Sequence, residues 1–469
     1  MDDRLKRRAL LGVMLSVFLA AMESTVVATA MPIIVKSLGG LAIYAWVFAG
    51  FILTSTVTMP LWGRLSDLFG RRSTFLTGLA IFLVGSALSG VSRDMTQLIV
   101  FRMLQGLGAG SLMTIGMTIV ADLFGLERRA KMQGYISGVW GLASLVGPLL
   151  GGFLTDQISW RWVFYINVPF GLVAIALLAG ALRGMPPSQR RPVIDYGGLA
   201  FFTVGISALL YGVSVGGMQR FSTPGALVPI AAAVISLVAF VQVERRAQEP
   251  IVPLRLFRNR MVRAAVTTGF LSGMAMFGTL SFVPLFLQGV ANASATRAGL
   301  VLTPFVLGWV TMSIVSARLV LKIGYRPVVT AGMLSLTISF LLLTRWDAGL
   351  TTLVAIRDAL LGGMGMGLSM VPMLIGVQSA VSRADLGVAT SLTQFFRSVG
   401  GAVGVAVMGA VKTQRLDAGV PLEGALHSVF VVGLIICLAA LASAFLVPAG
   451  RARDLARPEL RSEPTRVGG

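Results

Sequence analysis

The stretch GRLSDLFGRRSTFLTG at residues 63–78 returns in weaker form as ARLVLKIGYRPVVTAG at residues 317–332, an offset of 254 residues. A second pair follows at nearly the same offset. FLAAMESTVVATAMP (18–32) aligns with FLSGMAMFGTLSFVP (270–284), 252 residues later, and both stretches keep Phe, Leu, Met and Pro in register. These pairings indicate that the chain repeats itself once.

Two further pairings strengthen the repeat. Arg102 falls on Arg357 at an offset of 255, and Gly147 falls on Gly400 at an offset of 253. The frequency of Gly and Leu could explain one such match by chance, but not four matches in order near one offset. The chain therefore contains two related halves in the same orientation.

The composition places these halves in a membrane. Of 469 residues, 55% are hydrophobic and only 12% are charged, whereas soluble domains carry about 25% charged residues. Apolar stretches long enough to cross roughly 30 Å of hydrocarbon recur along the whole chain. We predict fourteen spans, at 9–35, 43–62, 73–91, 98–121, 132–154, 163–182, 196–217, 226–243, 264–287, 298–317, 328–344, 351–377, 388–411 and 426–447.

The predicted fold is an all-α integral membrane protein with four parts. Residues 1–182 form a six-helix half, 183–263 carry two additional spans with their loops, 264–447 form the second six-helix half, and 448–469 form a tail. Parallel halves related by an axis along the membrane normal are typical of secondary transporters, whose binding site lies near the midplane between the halves.

The net charge of +20 has a simple source. Most of the Lys and Arg residues lie in the loops and tails on the side of the amino terminus, as the positive-inside rule requires. We therefore expect a protein of the cell membrane with both termini in the cytoplasm, and nucleic acid is not needed as a partner.

Charges that occur in only one half need a reason beyond packing. Two of the three such charges lie inside predicted spans, where a charged side chain is expensive and usually faces a cavity or an opposite charge. The repeat aligns Glu23 with Ala275, Arg397 with Ser144, and Asp67 with Leu321.

Glu23 stands near the middle of the first span. A lone carboxyl group at that depth can take up and release one proton in each transport cycle, and the alternative is a structural Glu that stays paired with an Arg. Na⁺ would need several oxygen ligands, so H⁺ is the favoured coupling ion. We further expect Arg397 to pair with Glu23 across a central cavity in at least one state of the transport cycle, because an arginine cannot neutralise itself by losing a proton.

Four motifs resemble those of the major facilitator superfamily, in particular its fourteen-span drug:proton antiporters. GRLSDLFGRR (63–72) resembles the superfamily's signature loop, and LIVFRMLQGLGAG (98–110) its basic-residue motif. GLASLVGPLLGG (141–152) resembles the antiporter Gly-Pro motif, and SWRWVFYINVPFG (159–171) is similar to the entry of the sixth span. The first span differs from that of the fourteen-span antiporters, because it has Glu23 at the position where they usually have Asp.

The resemblance implies roles for several groups of residues. It assigns proton handling to Arg102 and proton coupling to Glu23, while Arg397 joins this group through the repeat argument above. The signature loop is expected to form a charge cluster that breaks and reforms as the halves rock, and the Gly-Pro motif to allow close packing and bending. These two groups are Gly63, Asp67, Gly70, Arg71 and Arg72, and Gly141, Gly147, Pro148, Gly151 and Gly152.

The predicted function is proton-coupled export of amphipathic, cationic compounds by alternating access. Flexible thioethers and aromatic faces suit a cavity that accepts many cationic shapes. The expected lining is Met22, Trp46, Trp140, Met274, Phe277, Trp309 and Phe396. The alternative is an exporter of one endogenous lipid, siderophore or metabolite.

Other classes lack support in the sequence. One His and one Cys leave no basis for a membrane-embedded enzyme or a metal site, and no filter loop or ring of like charges indicates a channel. The phosphate-binding GxxxxGK[ST] loop is absent, so no nucleotide drives transport. We expect a monomer without a cofactor, whose partners are small amphipathic molecules, protons and the lipid bilayer.

Overall fold

A computed structural model describes residues 3–40, 46–184, 195–218, 220–248, 250–293 and 295–450. Within these ranges the chain forms fifteen α-helices, joined at three places by 3₁₀ turns. The helices are α1 Asp3–Leu38, α2 Trp46–Phe69, α3 Arg71–Val91, α4 Met95–Leu123, α5 Leu126–Gln157, α6 Trp162–Tyr165, α7 Asn167–Ala181, α8 Tyr196–Met218, α9 Pro224–Glu244, α10 Arg260–Gly289, α11 Ala295–Ile323, α12 Tyr325–Leu343, α13 Thr352–Ala380, α14 Leu386–Asp417 and α15 Leu422–Ala444.

Each predicted span corresponds to one helix or, for the sixth, to the pair α6 and α7. Thirteen stretches of the described chain are long and apolar enough to cross a membrane. The predicted fifth span is not among them. It corresponds to α5, which has 32 residues and at 1.5 Å per residue measures about 48 Å, and several of its side chains lie outside the described part of the chain.

The internal repeat is visible in the packing. Helix α1 packs on α5 and α7, while α4 packs on α2 and α3. The second half repeats this pattern, because α10 packs on α14 and α15, and α13 packs on α11 and α12. The backbone repeats as well: Gly70 and Gly324 both have a φ near +88°, at 88° and 89°, in the turns before α3 and α12. Only glycine adopts this conformation without strain.

The halves meet most extensively at two helix pairs, and the repeat relates one pair to the other. Helix α2 packs on α14, and α11 packs on α5. The two additional helices pack on each other, and α8 also touches α14 and α2 along one of these junctions. The fold therefore leaves α5 and α14, together with α4, α10, α11 and α13, around a central space.

Glycines set the distance between α1 and α5. A Cβ atom on Gly151 would lie 2.7 Å from the Val26 carbonyl oxygen, and one on Gly147 would lie 3.0 Å from Thr25 Cβ. Their counterparts do the same between α14 and α10, where a Cβ on Gly404 would lie 2.5 Å from Met274 Cα. Much of this motif is therefore helix packing.

The other members of the motif differ. A Cβ on Gly141 would collide with Val310 of α11, so this glycine serves the contact between the halves. Gly152 has nothing within 4 Å of its Cβ position. Pro148 falls within α5, and its side chain lies outside the described part of the chain.

The neighbouring glycines provide a matched stability test. Gly151→Leu should destabilise the protein by about 1–3 kcal/mol through overpacking against α1, whereas Gly152→Leu should leave stability nearly unchanged. Cys437 is buried, so its reaction with a thiol-specific fluorophore during heating reports unfolding. Equal unfolding temperatures for the two variants would contradict this role of Gly151.

Candidate functional site

A buried polar network occupies the interior of the first half. Glu23 of α1 forms an ion pair with Arg102 of α4, and both side chains are only 1% exposed. The other carboxylate oxygen of Glu23 accepts a hydrogen bond of 2.6 Å from Asn167 Nδ2, which also donates to Ser86 Oγ at 2.9 Å. Helices α1, α4 and α7 therefore meet at a single carboxylate, and Asn167 links Ser86 of α3 to this network.

Arg102 has neutral partners besides Glu23. Its guanidinium donates to Gln105 Oε1 at 2.8 Å and to the Val47 carbonyl at 3.4 Å. It also lies over the Phe51 ring, with 4.2 Å between Cζ and the ring centroid. A cation over an aromatic face is attracted to it, so Arg102 remains partnered even when Glu23 is neutral.

In this conformation Glu23 pairs with Arg102 and not with Arg397, so a pairing with Arg397 in another state of the cycle stays a prediction. Glu23 points into the first half, while Arg397 of α14 lines the space between the halves. The repeat was also a poor guide to Arg102. Its counterpart Arg357 is 58% exposed and pairs with the neighbouring Asp358, so the aligned arginines occupy different environments.

Sequence reasoning did not assign Asn167, Ser86 or Gln105 to the site. All three are fully buried. The available signal was that each is a polar residue inside an otherwise apolar span, but many Ser and Asn residues in spans share that property. Only the relative rotation of the helices shows that these three face Glu23 or Arg102.

A cavity lies between the two halves. It is partly open to solvent, and α4 and α5 of the first half and α10, α11, α13 and α14 of the second half line it. Trp140 and Trp309 face each other across the halves with ring centroids 6.2 Å apart. The polar lining includes Gln133, Thr268, Ser272, Thr393, Gln394 and Arg397.

The structure brings two of the seven predicted lining residues, Trp140 and Trp309, to this cavity. Met22 and Met274 are buried in the cores of their own halves. The remaining three pack elsewhere: Trp46 stacks on Tyr211 of α8, Phe277 lies against Gly401, and Phe396 packs edge-to-face on Phe257 and Phe395. The composition indicates which residue types suit such a cavity, but it does not show which side of its helix each residue occupies.

The end of the bundle that carries the 63–72 loop is rich in Arg, and we call it the basic end. There Asp67 of α2 crosses to the other half. Its two carboxylate oxygens accept hydrogen bonds of 3.0 Å from the backbone N–H groups of Gly387 and Val388. These groups belong to the first turn of α14, where N–H groups have no partner within the helix. Asp67 therefore caps a helix of the opposite half.

This arrangement corrects the predicted charge cluster. Arg71 pairs with Asp67 and also donates to Asp122 at 2.9 Å and to Ser66 at 2.8 Å, all within the first half. Arg72 is exposed. The contact that crosses between the halves is therefore from a carboxylate to backbone amides, and Arg71 holds that carboxylate in place.

Two glycines allow this approach. A Cβ on Gly63 would lie 2.7 Å from the Gly387 carbonyl oxygen, and one on Gly387 would lie 2.6 Å from Ser66 Oγ. Gly70 forms the turn that follows. The basic end is thus closed by direct backbone contact between α2 and α14.

Arg71 and Arg72 form a second matched pair for a test. Arg71→Gln should destabilise the protein by about 3–5 kcal/mol, because it leaves two largely buried carboxylates without their cation, and it should slow transport. Arg72→Gln should change stability by no more than about 0.5 kcal/mol. Unfolding temperature and transport rate should be compared, and equal effects would exclude the assigned role of Arg71.

A second contact between the halves lies nearer the cavity. The Met117 carbonyl of α4 accepts hydrogen bonds of 3.3 Å from Gln133 Nε2 of α5 and from Gln378 Nε2 of α13. All three residues are buried. This carbonyl therefore links α4 of the first half to α13 of the second half, as Asp67 links α2 to α14.

Comparisons with known proteins agree with this fold. The family model described as Major Facilitator Superfamily matches residues 13–405. The chain is 41% identical over 418 residues to multidrug transporter protein MdtP of Bacillus subtilis, which covers 88% of this chain and 77% of that protein. It is 37% identical over 414 residues to multidrug resistance protein 3 of the same organism, and this alignment covers 86% of this chain and 79% of that protein.

Solved structures share the fold at low identity. The human organic anion transporter MFSD10 superposes with a TM-score of 0.67 at 18% identity, covering 96% of this chain and all of that one. The proton:xylose symporter XylE gives 0.66 at 16% identity, covering 96% and 98%. The chain belongs to the Major Facilitator Superfamily. It is a multi-pass membrane transporter and not an enzyme.

Proposed function

We propose that this protein is a fourteen-span, proton-coupled exporter of amphipathic drugs or toxic compounds. The observation that carries the proposal is the buried Glu23–Arg102 pair, an acid that can exchange a proton beside a cation that keeps neutral partners. The two Bacillus subtilis relatives, named as multidrug proteins, support drugs as substrates. In this proposal the protein acts as a monomer in the cell membrane, without a cofactor.

The proposed cycle uses the two halves as rocking bodies. With the basic end in the cytoplasm, the contacts of Asp67 with α14 and of Met117 with Gln378 close the cytoplasmic side. A substrate enters the central cavity when these contacts open, and it leaves on the other side when they reform. The cavity must therefore be reachable from one side at a time.

The proton step uses the network around Glu23. Protonation of Glu23 removes its attraction for Arg102, which stays bound to Gln105, the Val47 carbonyl and the Phe51 ring. Helix α1 is then held less firmly against α4. Because α1 packs closely on α5, and α5 contacts α11 of the other half, a shift of α1 reaches the junction between the halves.

The charge of the substrate needs separate treatment. A preference for cations was predicted from aromatic and methionine side chains, and Trp140, Trp309, Met117 and Met370 do line the cavity. The cavity also carries Arg397, however, and its described lining includes no Asp or Glu. This composition gives no support for a cationic substrate.

The test is transport into proteoliposomes with an imposed pH gradient. Inside-out vesicles with an acidic lumen should accumulate substrate, and dissipating the gradient with a protonophore should stop accumulation. A panel of lipophilic cations, neutral drugs, organic acids and lipids separates a broad exporter from the alternative, an exporter of one endogenous lipid, siderophore or metabolite. Transport that ignores the gradient for every substrate would refute proton coupling.

A further inference from the structure

Arg397 is a cation without a counter-ion in the described structure. It lies on α14 and lines the central cavity together with Gln394, one helical turn earlier on the same face. Within the described residues, its guanidinium has neither an ion pair nor a hydrogen bond. Two buried arginines of the first half behave differently, because Arg102 pairs with Glu23, and Arg71 pairs with Asp67 and Asp122.

The charge of Arg397 is fixed and costly. A guanidinium keeps its proton at any physiological pH, and a charge at membrane depth is expensive unless water or an anion compensates it. Six helices contribute side chains to the described lining of the cavity, and none of these side chains is a carboxylate. The cavity is therefore positive, which disfavours a cationic ligand and favours an anionic one.

The rest of the lining suits a molecule with two unlike ends. Near Arg397, Gln394 and Thr393 of α14 and Ser272 of α10 offer hydrogen bonds. Trp140 and Trp309 provide aromatic faces from the two halves, and methionines of α4 and α13 provide adaptable apolar surface. An apolar body can lie among these groups while an acidic head reaches the guanidinium.

We propose that the cavity binds amphipathic anions, meaning compounds with a carboxylate or similar acidic group on an aromatic or aliphatic body, and that Arg397 binds the acidic group. This inference rests on the proposed export function and specifies its substrate class. Carboxylates and guanidinium groups form paired, charge-assisted hydrogen bonds, which supply both affinity and orientation.

Arg397 also makes the charge of the cavity depend on whether a ligand is bound. The empty cavity carries an unpaired positive charge, while the loaded cavity is neutral. Closing the halves around the loaded cavity therefore buries less charge than closing them around the empty one. Binding of an anion thus favours the closed, loaded form over the closed, empty form.

The test uses three probes with one body: pyrenebutanoate, pyrenebutanamide and protonated pyrenebutylamine at pH 7.5. Energy transfer from tryptophan to pyrene measures binding to the purified protein. The wild type should bind the carboxylate about tenfold or more tightly than either of the others. Arg397→Gln should weaken carboxylate binding by about tenfold to a hundredfold and leave amide binding nearly unchanged, which shows that the cavity is intact.

Two further variants complete the test. Arg397→Lys should retain part of the preference for the carboxylate, because it keeps the charge but not the fork-shaped donor geometry. Arg415→Gln, which removes an exposed arginine from the same helix, should bind all three probes as the wild type does. If the wild type binds the amine as tightly as the acid, or if Arg397→Gln binds the acid normally, the proposal is wrong.

This binding assay is independent of proton coupling. Selective carboxylate binding without gradient-driven transport would refute the proposed function and leave the anion site standing. Gradient-driven transport with preferred binding of the amine would refute the anion site and leave the proposed function standing.

Discussion

Glu23→Gln is expected to abolish substrate accumulation driven by a pH gradient, a loss of at least about tenfold in initial rate. Glutamine has the shape of a protonated glutamate and can still accept a hydrogen bond from Arg102, but it cannot release a proton. Exchange of labelled for unlabelled substrate needs no net proton movement, so it should continue. The measurement is accumulation and exchange in the same proteoliposomes.

Controls separate coupling from folding. Breaking a buried ion pair costs about 3–5 kcal/mol, so Glu23→Gln must first be shown to keep a normal unfolding temperature or normal probe binding. Glu23→Asp should keep partial accumulation, since it retains the acid on a shorter side chain. Glu423→Gln removes an acid from the first turn of α15, far along the chain, and should behave as the wild type. Gradient-driven accumulation by a folded Glu23→Gln variant would end the case for Glu23.

Asp67→Asn should lower turnover strongly while changing substrate affinity little. The carboxylate accepts two backbone hydrogen bonds from α14 and pairs with Arg71. Hydrogen bonds to a charged group contribute about 1.5–3 kcal/mol each, so losing the charge weakens the closed basic end. A change of about 1.4–3 kcal/mol shifts the ratio of two conformations by tenfold or more.

Spin labels across the basic end can detect this shift. Residues 72 and 383 are exposed on α3 and in the turn before α14, and Cys437 can be replaced to provide a background without cysteine. Asp67→Asn should move the distance distribution towards longer distances. Asp122→Asn, which loses a contact with Arg71 but none with α14, should move it less. A normal turnover with an unchanged distribution would contradict the capping role of Asp67.

The sequence was sufficient to predict the helices and the repeat. Apolar length determines a span with little help from context, and the paired glycines kept their packing role in both halves, as Gly151 and Gly404 show. The predicted fifth span corresponds to α5, which packs on α1 and α11.

The partners of the charged residues were harder to predict. Glu23 was singled out by its depth and by the absence of a charge in the other half, but depth does not say which way a side chain points around the helix. Asp67 has partners 320 and 321 residues away, and they are backbone amides that no side-chain pattern reveals. Glu23 pairs with Arg102 in this conformation, and its predicted pairing with Arg397 in another state of the cycle stays a prediction.

The most direct test of the account is whether substrate movement carries protons through Glu23. Proteoliposomes loaded with a pH-sensitive dye and lacking any initial ion gradient receive a substrate gradient, and the luminal pH is followed. Substrate entry should drive protons out and raise the luminal pH in the wild type, with no such change for Glu23→Gln or for protein-free liposomes. Substrate uptake by the wild type without proton movement, or an equal pH change with Glu23→Gln, would contradict the account.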